Sequence, residues 1–136
     1  MAESSNHILL VNHLKSWVIE KFLDGDEGKI FVDHPDSNSC QRPPIMNGFI
    51  PDIYVPSGPY GLMIIGEAKT ARDLERKHSQ NQFEQFLNKC AEVNNSLFII
   101  AVPWYSVRLA ESILKYLKNK SNAGMVTTEV LEKLGD

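Results

Sequence analysis

Phe49-Ile50-Pro51-Asp52-Ile53-Tyr54-Val55, then Pro56-Ser57-Gly58-Pro59-Tyr60-Gly61, then Leu62-Met63-Ile64-Ile65-Gly66-Glu67-Ala68-Lys69 reads as two apolar strands around a Gly/Pro turn. Each strand carries an acid that a buried strand disfavours, Asp52 in the first and Glu67 in the second. Side chains alternate along a strand, so Glu67 and Lys69 share a face and Ala68 takes the other. The run Leu62 to Ile65 is apolar on both faces, which predicts a central strand covered by helices on either side.

The flanking segments extend this pattern outward. Ser4, Ser5 or Asn6 can cap a first helix to about Leu23, with Leu10, Leu14, Trp17, Val18 and Phe22 facing the core. Gly25 and Gly28 end it, and Lys29 to His34 reads as a first strand. Pro35 to Asn47 is polar and long for a connection, a candidate functional loop. After Lys69 comes a polar, basic turn, then a helix from about Ser79 to Val93 that buries Phe83, Phe86, Leu87, Cys90 and Val93. Leu97 to Val102 is a buried strand, and a third helix, Val107 to Lys118, buries Leu109, Ile113, Leu114 and Leu117. Met125-Val126 reads as a short edge strand before a terminal helix, Glu129 to Leu134. The expected fold is α/β: one domain over residues 1–136, with a mixed sheet whose fourth strand joins in parallel through a crossover.

Two acids on adjacent strands with a lysine on the same face form a constellation suited to phosphodiester hydrolysis. That reaction needs charge neutralisation and an activated water, and Mg²⁺ or a similar hard cation such as Mn²⁺ supplies both through oxygen ligands. Asp52 and Glu67 are the candidate metal ligands, with the Ala68 carbonyl a third, and Lys69 can stabilise developing negative charge. The bland alternative is a strand-edge acid and a surface ion pair worth little. Position disfavours it, because Glu67 directly extends the apolar run and follows Gly66.

Pro51-Asp52 followed by Glu67-Ala68-Lys69 at the end of the next strand resembles the PD-(D/E)XK nuclease superfamily, whose restriction endonuclease-like core is αβββαβ. The resemblance runs from the first helix to Val102. Gly48-x-x-Pro51-Asp52 and Glu67-x-Lys69-Thr70 are most similar to the virus-type replication-repair nuclease and Holliday-junction resolvase branches, although Gly48 stands farther upstream than in many relatives. The resemblance implies Asp52 and Glu67 as metal ligands and Lys69 as the catalytic lysine. It also implies an acid on the first helix, for which Glu20 is the candidate, and a glutamine on the helix after the lysine. Gln82 with Phe86 fits that pattern, with Gln80 the competitor. The implied activity is a metal-dependent deoxyribonuclease, an endonuclease of repair, recombination or restriction. The alternative is a catalytically inactive nuclease-fold module for binding or assembly.

Composition bounds the partners. Hydrophobic residues at 43% and charged residues at 23% are ordinary for a folded domain, and a formal charge of −3 excludes a histone-like nucleic-acid binder. A local basic cluster, Arg72, Arg76, Lys77 and His78, lies where a DNA backbone would pass beside Lys69. Lys115, Lys118 and Lys120 offset a helix dipole. His34 with Asp36 is a weaker metal-site candidate, and Trp104-Tyr105 reads as rim packing, with base stacking as the alternative. Cys40 and Cys90 lack metal spacing and read as reduced, consistent with a cytoplasmic protein. No leader pattern or membrane-length apolar run is seen. A domain this small implies a homodimer if it is to cover a DNA duplex.

Overall fold

The computed structural model describes residues 5–34 and 41–135. The elements are α1 (Ser5–Phe22), β1 (Phe31–Val32), β2 (Ile53–Val55), β3 (Met63–Ala68), α2 (Ala71–Leu74), α3 (Lys77–Ala91), β4 (Ser96–Pro103), α4 (Val107–Lys120) and β5 (Thr127–Lys133). The strands form one sheet in the order β1-β2-β3-β4-β5. The first three pair antiparallel; β4 joins β3 in parallel, and β5 joins β4 in parallel. This is a mixed α/β sheet, and β3, its central strand, is buried along its whole length.

Alternation along β3 divides the core in two. Ile64 and Ala68 face α1, where they join Leu10, Leu14, Val18, Ile53, Ile99 and Ala101. Met63 and Ile65 face α3 and α4, against Phe83, Phe86, Leu87, Phe98, Ile113 and Leu117. Phe98 sits between two rings of α3, with centroids 6.1 Å from Phe83 and 6.0 Å from Phe86. Gly66 points to the α1 side, and a Cβ there would lie 2.5 Å from Ile53 Cγ1 and 3.0 Å from Leu14 Cδ2. Its missing side chain lets the helix and β2 close on β3 just before Glu67.

The turn before β2 is also specified locally. Asn47 and Gly48 have φ of 52° and 93°, and Met46 and Phe49 exchange both backbone hydrogen bonds. Asn-Gly tolerates positive φ at both central positions, so it makes a tight reversal. That reversal packs on α3, where Phe49 meets Phe86 with centroids 6.4 Å apart.

Several expectations are corrected. The terminal helix is instead strand β5, paired with β4 from Leu97↔Thr127 to Pro103↔Lys133. Six residues cannot sustain a helix nucleus in isolation, whereas β4's outer edge offers hydrogen bonds and Thr127, Thr128 and Val130 favour a strand. Leu109 is 37% exposed rather than buried, and Ala110 takes the inward position on α4. On α1, Val11 and Ile19 are buried, while Trp17 and Phe22 pack edge to face at the border. Strand β1 is only Phe31–Val32, because Asp26 accepts the Gly28 N–H and draws Glu27–Lys29 into a 3₁₀ turn. The basic turn after Lys69 contains α2, anchored by buried Leu74, and α3 starts at Lys77. Cys90 is free and buried, which pushes its thiol up to about 12. Ser4, Asp36, Cys40 and the first half of the Pro35–Asn47 loop lie outside the described residues. Among the described residues, no helix is long and apolar enough to cross a membrane.

The close approach at Gly66 gives a stability prediction. Gly66→Ala forces a methyl into Ile53 and should destabilise the fold by about 1–3 kcal/mol, the usual range for an overpacked core. Urea unfolding measures this directly. In an Ile53→Ala background the same substitution should cost clearly less, and an equal cost would show that crowding is not the cause.

Candidate metal centre

The β2–β3 hairpin ends in an interlock of side chain and backbone. Continuing the Ile53↔Gly66 register past the last pair sets Asp52 against Glu67 and Pro51 against Ala68. Proline has no N–H to offer the ladder. The carboxylates take over instead: Asp52 N–H donates to Glu67 Oε1 at 3.0 Å, and Ala68 N–H donates to Asp52 Oδ2 at 2.8 Å. The Ala68 N–H and C=O project from the same side of the strand. That carbonyl therefore also faces the acids.

Lys69 completes the cluster. Its backbone N–H donates to the Ala101 carbonyl at 3.0 Å, which keeps β3 registered with β4 as the strand ends. Its ammonium lies 3.3 Å from Glu67 Oε2 and donates to Gln82 Oε1 of α3. Asp52 is 5% exposed, Glu67 3% and Lys69 9%, and no other charged residue among those described is buried. Asp, Glu and Lys are almost never buried without partners, so this concentration marks the one place where the fold accepts that cost.

The electrostatics follow from burial and proximity. Burial, then the negative charge of Asp52, holds the Glu67 carboxyl well above the usual carboxylate range, while Lys69 pulls it back. Asp33, after β1, is raised by burial and then by Asp52, with Arg42 and His7 acting against the rise. Its N–H donates to the Asp52 carbonyl at 2.8 Å, tying β1 to the site.

The sequence-predicted residues divide clearly. Asp52, Glu67, Ala68, Lys69 and Gln82 come together; Gln80 instead donates to the Glu75 carbonyl at 3.4 Å. Glu20 does not belong: it is exposed and thirteen residues along α1 from the helix turn that meets Asp52, about 20 Å at 1.5 Å per residue. The residue α1 brings to the site is His7, whose Nε2 lies 3.4 Å from Asp52 Oδ1. Helical periodicity could not reveal it, because it depends on which end of α1 crosses the hairpin. Arg72 is exposed on α2; Arg76, at the junction with α3, pairs with Asp73 at 3.4 Å, and exposed Lys77 opens α3. His78 packs edge-on against Phe49 at 5.6 Å.

A hard divalent cation fits this donor set. Mg²⁺ is usually held by one or two carboxylates, with waters and phosphate oxygens completing its shell. Asp52 and Glu67 supply two carboxylates and Ala68 a carbonyl, while among the described residues no group of three or more His, Cys, Asp or Glu is arranged to hold a metal. Comparison with family models, curated proteins and solved structures gives no match, so the site stands on its own geometry.

The raised Glu67 makes stability depend on pH. A group held above its unfolded value stabilises fully below that value and loses its contribution as pH rises through the folded one. Unfolding midpoints of the chain in EDTA should therefore fall as pH rises from the ordinary carboxylate value of 4.5. Glu67→Gln, which does not ionise, should flatten that fall. A variant with the wild-type slope would place the pH dependence elsewhere.

Proposed function

We propose that the chain is a Mg²⁺- or Mn²⁺-dependent deoxyribonuclease of the PD-(D/E)XK type, with a restriction endonuclease-like core, cleaving phosphodiester bonds as an endonuclease. The observation that carries the reading is the buried Asp52–Glu67–Lys69 interlock, the only buried charges among the described residues. The element order, α1, three strands, the short α2 with α3, then β4, supports it.

Asp52, Glu67 and the Ala68 carbonyl would hold the cation, which supplies positive charge to the phosphodiester and to the attacking water. The chain's own residues do the positioning. Asp52 is fixed by the Ala68 N–H on one oxygen and lies against His7 on the other. Glu67 is fixed between the Asp52 N–H and the Lys69 ammonium. Gln82 holds Lys69 from α3, which aims a cation at the end of the sheet. An ammonium preorganised in this way lowers the barrier because it need not reorganise as negative charge develops. Arg72 and Lys77 lie beyond it and can contact backbone phosphates, giving affinity without sequence preference.

Plasmid and oligonucleotide cleavage in Mg²⁺ or Mn²⁺ tests this. Asp52→Asn keeps an acceptor for the Ala68 N–H, so it should fold yet lose about a hundredfold or more in rate. Lys69→Ala should lose on the same order. Glu20→Ala should cleave like the parent, and EDTA should abolish cleavage in every active form. Cleavage that survives both Asp52→Asn and Lys69→Ala would sink the assignment.

A further inference from the structure

The chain neighbours of two site residues open onto a second feature. Asn6, before His7, and Thr70, after Lys69, line a recess together with Leu9, Pro103, Tyr105 and Lys133. Its volume is about 60 Å³. That is the share of roughly two water molecules and too little to enclose a nucleobase. Its rim is broad, however. Tyr105 is 62% exposed and Leu9 50%; Trp104, outside the lining, is 53% exposed and meets the Tyr105 ring edge to face at 5.6 Å. Trp104 and Tyr105 thus pack on each other at the rim, as expected, while each keeps about half or more of its surface open.

Topology puts this pair at the same end of the sheet as the site. Strands β3 and β4 are parallel with Ala68 opposite Ala101, so the chain leaving β4 at Pro103 delivers Trp104 and Tyr105 to the sheet end that carries Glu67 and Lys69. A formal charge of −3 leaves phosphate affinity to local cations such as Arg72 and Lys77, to which base contacts would add.

We propose that Trp104 and Tyr105 form a shelf that stacks on an unpaired nucleobase at the sheet end that faces the scissile phosphate, outside the small recess, so that the substrate is single-stranded or flap-bearing nucleic acid. The inference rests on the nuclease reading for the position of that phosphate. A base inside a duplex has both faces stacked, whereas an unpaired base has a face free for an aromatic side chain. Leu9 and Pro103 supply apolar surface to such a ring. Asn6 and Lys133 border the recess with polar side chains for the base's edge and the adjoining backbone, Lys133 giving up its 3.4 Å bond to the Leu134 carbonyl, while the Thr70 hydroxyl stays on Asp73.

Fluorescence anisotropy in EDTA, with a labelled single strand, its blunt duplex and a flap-bearing duplex, tests this on the full chain. The single strand and flap should bind more tightly than the blunt duplex. Tyr105→Ala should weaken single-strand binding by about tenfold, the order of one lost base–aromatic stack, and leave duplex binding unchanged. Tyr105→Phe should restore it. Trp104 emission should change on single-strand binding, and Trp104→Phe should remove that change. An RNA copy of the single strand shows which sugar the shelf accepts. Equal affinity for single strand and blunt duplex, or no effect of Tyr105→Ala, overturns the proposal. Discrimination without cleavage by any form would sink the nuclease reading alone; cleavage without discrimination would sink the base shelf alone.

Discussion

The exchange of hydrogen bonds between two carboxylates and two backbone N–H groups at the hairpin's end is what the rest of the structure accommodates. Pro51 stops the ladder, and Asp52 and Glu67 replace its next rungs with side-chain oxygens. A ladder ended by carboxylates rather than carbonyls carries charge into the interior, which costs several kcal/mol per ion unless each oxygen is satisfied. Here Asp52 is met by Ala68 and His7, and Glu67 by Asp52 and Lys69. Lys69 in turn needs Gln82 from the opposite layer. The two halves of the core, α1 on one face and α3 on the other, thus converge on one polar point.

That convergence requires tight packing behind it. Gly66 brings β2 and α1 onto β3 one residue before Glu67, and the Phe98 contacts with Phe83 and Phe86 fix α3 on the other face. Because α3 is held by large rings one and four positions beyond Gln82, the amide is placed by the apolar stripe of its own helix. The same logic sets the aromatic shelf, which follows β4 at the height where that strand's parallel pairing with β3 ends.

What could be read in the sequence followed from short-range rules. Strand alternation put Glu67 and Lys69 on one face, and helical spacing placed Phe83, Phe86, Leu87 and Cys90 inward. What could not be read depended on tertiary placement. Glu20 and His7 lie on one amphipathic helix, and nothing in its periodicity says which end crosses the hairpin. Strand β5 has no strong alternation, with a half-buried run from Thr128 to Leu131, and exists because β4 has an edge to cover. The exposure of Trp104 and Tyr105 likewise reflects which neighbours the fold declines to supply.

The charge balance of the site links its stability to its occupant. Asp52, Glu67 and Lys69 sum to a net negative charge when all are ionised, in surroundings that disfavour any unpaired charge. A proton on Glu67 cancels that excess, which is why burial and Asp52 both raise its carboxyl. A divalent cation on the same oxygens would instead turn one excess negative charge into one positive charge, and because it needs those oxygens deprotonated, proton and cation would compete for one set of groups. On the proposed cation-binding role, affinity would therefore grow with pH over the range in which Glu67 gives up its proton. Three buried charges are costly to hold, and an apolar hairpin end would close the sheet at less cost.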